Sequence, residues 1–258
     1  MNADQIEGLV SAKRRLDDLL QLKMLLERFI EKYTAIIIEP RKHRAMEFVL
    51  RNALDNLNSR WSIQIFHGTE NEFWLKELLE KSFQEDLPRI TLKNLGVANL
   101  ESSQEYSKIL AGREFVEAIP TETFLVFQTD SMINPAQKGL IDRFINYDYV
   151  GAPWQSSILA VGNGGFSLRK RSTMLRIIDI LGPIKNINED VYFSTGCLIL
   201  KANVPTREQA KEFSIETVYH THSFGLHRAW IYHKDKLEEL CNQCEGLETL
   251  IQLQSVIE

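Results

Sequence analysis

Four stretches of this sequence carry side chains suited to a charged, hydroxylated ligand. Asp130 closes the apolar run Phe124-Leu-Val-Phe-Gln-Thr-Asp130 and is followed by Ser131; downstream come Asn163-Gly-Gly165, Asn188-Glu-Asp190 and Phe224-Gly-Leu-His-Arg-Ala-Trp230. A carboxylate where a strand runs out is a hard oxygen ligand for Mg²⁺ or Mn²⁺, and such an ion absorbs the charge of a departing diphosphate as a Lewis acid. The pair Gly164-Gly165 permits unusual backbone angles and lets a ligand lie against the main chain. Asp190 is suited to take a proton from an attacking hydroxyl; Glu189 either raises its proton affinity by like-charge repulsion, binds acceptor hydroxyls, or is itself the base. His220, His222 and His227 cluster late in the chain, and His227, between Gly225 and Trp230, reads as a metal ligand on a loop that folds over the bound donor.

Other positions follow from where ligands collect in open α/β sheets, beyond the carboxyl ends of strands. Glu39-Pro-Arg41 follows Ile36-Ile-Ile38, and His67-Gly68 follows Ile63-Gln-Ile-Phe66. Arg41 suits a phosphate, and Gly68 would let backbone approach a base. Trp154 and Trp230 suit stacking on a sugar face. Each position also has a plainer reading. Asp130-Ser131 serves equally as a turn or helix cap, the glycine pair as a turn into a strand, Glu189 and Asp190 as acids at a helix start, and the tryptophans as core. Cys241-Asn-Gln-Cys244 lacks a second ligand pair for zinc and lies on the apolar stripe Leu237, Leu240, Cys241, Cys244, Leu247, a packed helix face.

These residues need elements to hold them. The pattern predicts strands over Tyr33 to Ile38, Trp61 to His67, Ile90 to Leu95 and Thr123 to Gln128. Helices are expected over Lys42 to Leu57, Glu72 to Phe83 and, in pieces, Gln104 to Ala118. Such β-α-β-α-β order implies an α/β fold with a mostly parallel sheet covered on both faces. Later segments read as short strands at Tyr149-Val150 and Phe166-Ser-Leu168, and as helices over Arg171 to Leu181, Val191 to Leu200 and Lys234 to Ile257. Residues 1–32 read as an amphipathic helical appendage to a domain of residues 33–258. Leu9, Ala12, Leu16, Leu19, Leu26 and Ile30 form a heptad seam interrupted by Lys23, which either packs on its own domain or pairs two copies as a homodimer.

Composition bounds the partners. With 258 residues and 44% hydrophobic content the chain can bury one full core. A net charge of -5 gives no broad cationic field, which sets nucleic acid aside as a main partner. No run approaches the ~20 apolar residues of a membrane span. Three cysteines are too few for a disulfide framework, so a reducing, cytoplasmic setting is expected.

With these residues assembled, the chain resembles a family of glycosyltransferase-like domains, long classed as a domain of unknown function and found in large DNA viruses, bacteria and fungi. The resemblance runs from about Ala35 to Trp230. It rests on Ile38-Glu-Pro-Arg41, Trp61 through Phe66-His-Gly68 with Asn71, Phe127-Gln-Thr-Asp130-Ser131, Asp148-Tyr-Val-Gly-Ala-Pro-Trp154, Gly162-Asn-Gly-Gly-Phe-Ser-Leu-Arg169, Asn188-Glu-Asp190 and Phe224-Gly-Leu-His-Arg-Ala-Trp230. That family is similar to the GT-A class, whose members commonly hold a divalent metal through Asp-x-Asp and a late histidine. The resemblance implies a GT-A-like fold and transfer of a sugar from a UDP- or GDP-sugar to a hydroxyl of a glycan or small acceptor, with inversion. It makes Asp130 and His227 the ligands of Mn²⁺ or Mg²⁺ and Asp190 the acceptor base; Gln128 stands where a first aspartate would. Two other functions fit the same residues: a sugar nucleotidyltransferase, which would want a glycine-rich basic loop near the first strand, and a non-catalytic carbohydrate-binding or scaffold module.

Overall fold

Tyr33–Ile38 (β1) is buried along its whole length, as befits a run of apolar residues enclosed on both faces of a parallel sheet. The computed structural model describes residues 8, 12–22, 26, 33–155, 159 and 161–254. Residues 12–22 form a helix (α1), and after β1 come Met46–Asn56 (α2), Trp61–His67 (β2), Glu72–Ser82 (α3), Ile90–Asn94 (β3), Ser103–Leu110 (α4) and Arg113–Glu117 (α5). Thr123–Val126 (β4), Ser131–Ile133 (β5), a 3-10 segment Pro135–Arg143, Tyr149–Gly151 (β6), Ser167–Lys170 (β7), Arg171–Leu181 (α6) and Glu189–Leu200 (α7) follow. The chain continues through Arg207–Phe213 (α8), Ser214–Ile215 (β8), Gly225–His227 (β9), Ala229–Tyr232 (α9), Leu237–Gln243 (α10) and Leu247–Gln254 (α11).

Six strands form the central sheet in the order β3-β2-β1-β4-β7-β6. The pairs β3-β2, β2-β1 and β1-β4 are parallel, whereas β7 runs antiparallel to both β4 and β6. The fold is thus α/β with a mostly parallel sheet flanked by helices, the class read from the sequence. β1 and β4 therefore end at the same edge, which gathers Glu39 and the segment 127–130 side by side.

Two antiparallel registers complete that edge. In the main sheet Val126 pairs with Ser167, so the residues just before β7, including Gly164 and Gly165, stand beside the end of β4. A second sheet, β5-β9-β8, pairs Ser131 with His227 and Ile215 with Leu226, which brings His227 beside Asp130 and delivers Glu216 next to His227. Asn52 of α2 docks β5 through both polar atoms of its amide, donating to Ile133 O at 2.9 Å and accepting from Ile133 N at 2.7 Å.

Several expected boundaries move. The helix expected from Lys42 begins at Met46 because the Asn71 amide donates to the carbonyls of Glu39 and Arg41 and holds that loop in non-helical form. The helix expected from Val191 begins at Glu189, placing both acids in its first turn, where the helix dipole favours them. The segment expected as one helix from Lys234 divides at Gly246, whose φ of +90° breaks it into α10 and α11; Ile257 lies outside the described residues. In α1, Leu16 and Leu19 are more than half exposed; Leu9, Lys23 and Ile30 of the seam lie outside the described residues. Among the described residues no helix is long and apolar enough to cross a membrane.

Candidate active site

Glu39 is the first side chain beyond β1. It is buried and grips Arg41 with both oxygens, at 2.7 Å from Nε and 2.8 Å from Nη2. A bidentate pair of this kind fixes the guanidinium plane. Ile38, Glu39, Pro40 and Arg41 line one side of a cleft of about 200 Å³, and Gln128, Thr129 and Asp130 line another. Leu100, Ser102, Ser103 and Tyr106, from α4 and the loop before it, close the cleft. None of these four stood out in the sequence, because they lie several residues beyond the end of β3; Ser102 caps α4 by accepting from Glu105 N–H.

Asp130 is the junction of the site. Its Oδ1 lies 3.3 Å from His227 Nε2 and its Oδ2 lies 3.5 Å from Arg228 Nε. Burial pushes the carboxyl up, but contact with His227 and the charges of His227 and Arg228 outweigh it and hold Asp130 below its ordinary value. Burial pulls His227 down, yet its contacts with Asp130 and Glu216 raise it to about 9. Its Nδ1 faces Glu216 Oε1 at 3.2 Å and its Nε2 faces Gln128 Oε1 at 3.2 Å. His227 sits on β9, buried, and not on a covering loop as its flanking Gly225 and Trp230 suggested. Gly225 instead serves close packing, its missing side chain leaving room for the Phe166 ring. His220 and His222 hydrogen-bond locally with Thr221 and Ser223, apart from this group.

The two acids at the start of α7 part company. Glu189 is buried and meets Arg169 Nη2 at 3.1 Å, and lines none of the hollows described here. Its carboxylate, read from the sequence as base or hydroxyl ligand, is engaged by Arg169 inside the protein. Asp190 lines a cavity of about 720 Å³ with Trp154, Asn188, Val191, Thr217 and Tyr232. Burial raises its proton affinity, and the N–H groups of Val191 and Gly164 oppose that rise. Asp130, Arg228, Trp230, Ile231, Ile251 and Gln254 line a third hollow of about 440 Å³. Helix α9 contributes Trp230 and Ile231 to this hollow and Tyr232 to the cavity of Asp190, so it forms part of the partition between them. Asp130 and His227 therefore meet directly, while Asp190 faces a neighbouring cavity across Gly164 and Gly165.

Several residues expected to meet the donor make contacts within the protein. A Cβ on Gly164 would come within 1.8 Å of Glu189 Oε1, and one on Gly165 within 2.5 Å of His227 Nε2. The glycine pair thus gives these side chains room for close approach. The Ser131 hydroxyl donates to Gln128 O and accepts from Gln128 N–H, locking the turn before β5. His67 is buried with Nδ1 at 2.8 Å from Gly68 O, and Gly68 packs against Pro40 and the carbonyls of Val97 and Ala98. Glu216 and Arg169, which organise the site, were not singled out from sequence because one follows a two-residue strand and the other was read only as part of a motif.

Gln128, Asp130 and His227 offer two oxygens and a nitrogen to one point, although among the described residues no three His, Cys, Asp or Glu side chains gather as a metal centre. Asp130 Oδ1 is buried and, beyond its 3.3 Å pairing with His227 Nε2, makes no well-formed hydrogen bond, a donor set with acceptor capacity that suits a hard cation.

Among curated proteins none matches the chain. Its structure is similar to that of the glycosyltransferase GlyE of Streptococcus pneumoniae TIGR4 in its apo form, at 14% identity and a TM-score of 0.49 over 88% of this chain and 61% of that one. It is also similar to the mannosyltransferase PcManGT of Pyrobaculum calidifontis, solved with GDP-Man and Mn²⁺, at 12% identity and a TM-score of 0.44 over 64% of this chain and 51% of that one. The chain thus spans less than two thirds of the length of either protein. In sequence, the family described as "Protein of unknown function (DUF5672)" matches residues 89–227, more than half of the chain and the part that holds Gln128, Asp130, Glu189, Asp190, Glu216 and His227, and the chain belongs to that family.

Proposed function

We propose that the protein is a GT-A-like glycosyltransferase that moves a sugar from a UDP- or GDP-sugar to a hydroxyl of a glycan or small acceptor, with inversion at the anomeric carbon. The observation that carries this reading is the meeting of Asp130 and His227, 3.3 Å apart, at the edge where β1 and β4 end. The cleft beside them offers Glu39 and Arg41 to the nucleotide end of a donor, and its walls at Gln128, Thr129 and Asp130 face the diphosphate. Asp130 and His227 would hold Mn²⁺ or Mg²⁺, which when bound supplies Lewis-acid neutralisation of the leaving diphosphate.

The residues of the chain divide the remaining work. Asp190, in the cavity with Trp154, takes the proton from the acceptor hydroxyl as its oxygen attacks the anomeric carbon. Trp154 offers its ring to the acceptor there; Trp230 does the same in the hollow beside Asp130. Arg228, half exposed on the Asp130 side, adds positive charge where the diphosphate departs. Residues 33–258 form the transferase domain and residues 1–32 a helical appendage that pairs two copies. We assign the protein to the cytoplasm, that of the host cell if its source is a virus.

Asp190→Asn separates chemistry from binding. A general base contributes ~10²- to 10⁴-fold, so transfer should fall by that factor while calorimetric titration with UDP, GDP and their sugars stays unchanged. A variant as active as the parent removes the assignment of Asp190. A panel of nucleotide sugars incubated with protein and Mn²⁺ should show slow donor hydrolysis; release of inorganic diphosphate from nucleoside triphosphates would indicate a nucleotidyltransferase instead.

A further inference from the structure

Gln128 interrupts the acidic motif in the sequence, yet its amide oxygen reaches the same point as Asp130 and His227. Gln128 Oε1 lies 3.2 Å from His227 Nε2, and Asp130 Oδ1 lies 3.3 Å from the same nitrogen. Ligands at right angles, each about 2.1 Å from a small hard cation, stand about 3.0 Å apart. The nitrogen is therefore placed to share an edge of one coordination shell with either oxygen after a shift of a few tenths of an ångström.

Three further features surround this point. Asp130 Oδ1 is buried and pairs with His227 Nε2 at 3.3 Å without a well-formed hydrogen bond, so a buried carboxylate oxygen keeps acceptor capacity for a cation. On the far side of the imidazole, Nδ1 faces Glu216 Oε1 at 3.2 Å. A metal-bound histidine commonly gives its second N–H to a carboxylate in this way, which fixes the ring; the cation takes the lone pair of the other nitrogen by displacing its proton to solvent. Glu216 is itself buried and takes a hydrogen bond from the Asn163 amide. Finally, a Cβ on Gly165 would stand 2.5 Å from His227 Nε2 and 2.8 Å from Gln128 Oε1, so glycine is what lets both atoms converge there.

We propose that Gln128 Oε1 is the third protein ligand of a divalent cation held also by Asp130 Oδ1 and His227 Nε2, with Glu216 orienting His227 from behind. The inference rests on the reading of this cleft as the diphosphate end of a donor site. Because an amide replaces a carboxylate, the site carries one formal negative charge fewer than a two-aspartate site. The protein alone then holds the cation weakly, and the donor oxygens complete the shell.

The probe is Mn²⁺ alone, titrated into the full-length protein and followed by electron paramagnetic resonance of the free ion, with circular dichroism to check folding. Gln128→Leu should weaken binding, and Gln128→Asp, which adds a charge, should tighten it. Glu216→Gln should weaken binding ~10- to 100-fold, and His227→Ala should abolish the imidazole nitrogen coupling to bound Mn²⁺. Parent-like Mn²⁺ affinity in both Gln128 variants overturns the assignment, and so does a wild-type protein that takes up no Mn²⁺ at millimolar concentration. Donor hydrolysis in EDTA then decides the underlying reading by itself: turnover without metal keeps the transferase and discards only the cation site.

Discussion

Glu189 and Asp190 are chain neighbours of like charge, and their surroundings assign them different work. Arg169 neutralises Glu189 in the interior, whereas Asp190 keeps a face toward the cavity shared with Trp154. Burial raises Asp190 above the ordinary aspartate value of about 3.9. If Asp190 is the base, as proposed, it acts when ionised, and the rate falls as pH drops through that raised value. A profile of kcat/KM against pH should therefore show its acid limb displaced upward from the ordinary carboxylate range, and the limb should vanish in Asp190→Asn. An acid limb at or below the ordinary value would separate Asp190 from the rate-determining proton transfer.

At the scale of elements, Arg169 fastens three pieces of the chain together. It projects from β7, stands between the rings of Tyr149 on β6 and Phe193 on α7 at 5.2 and 5.3 Å, and donates to Gly164 O at 3.2 Å as well as to Glu189. Removing one partner of a buried ion pair strands the other charge, at a cost of about 3–5 kcal/mol, whereas replacing both with apolar residues is often neutral. Arg169→Met should therefore lower stability in urea by about that amount, and Arg169→Met combined with Glu189→Leu should recover part of the loss. Equal destabilisation in the single and double variants would mean that the guanidinium acts through packing and its bond to Gly164, with little electrostatic share. Either way the glycine turn loses an anchor, so the cleft beside Asp130 and the cavity of Asp190 should lose their fixed relation.

For the whole molecule, the sheet and its helices account for the core, and α1 contributes little to it. Leu16, Leu19, Leu20 and Leu22 are each at least half exposed, and the proposed pairing of two copies would cover them. The heptad spacing in the sequence makes a second copy the fitting occupant. Sedimentation of the full-length chain should show a dimer, and Leu16→Glu with Leu19→Glu should convert it to a monomer with unchanged donor binding. A monomeric parent would return residues 1–32 to packing against their own domain.

Strand composition by itself determined the α/β class. Ile36-Ile-Ile38 and Phe124-Leu-Val126 are apolar on every residue, which only a strand covered on both faces tolerates, and the helical periods between strands force parallel crossovers. Residue chemistry likewise drew attention to Asp130, Asp190 and His227, since a carboxylate after a strand and a histidine among glycine and aromatics are legible locally. What tertiary structure alone decided is which of these touch. The short strands β5, β8 and β9 are too brief to show alternation, yet their pairing registers bring Ser131, His227 and Glu216 together over almost a hundred residues of chain. Burial then separated the surroundings of Glu189 and Asp190, and close packing set Gly164 against Glu189 and Gly165 against His227. These outcomes depend on long-range contact and desolvation, and neither leaves a trace in the spacing of residues along the chain.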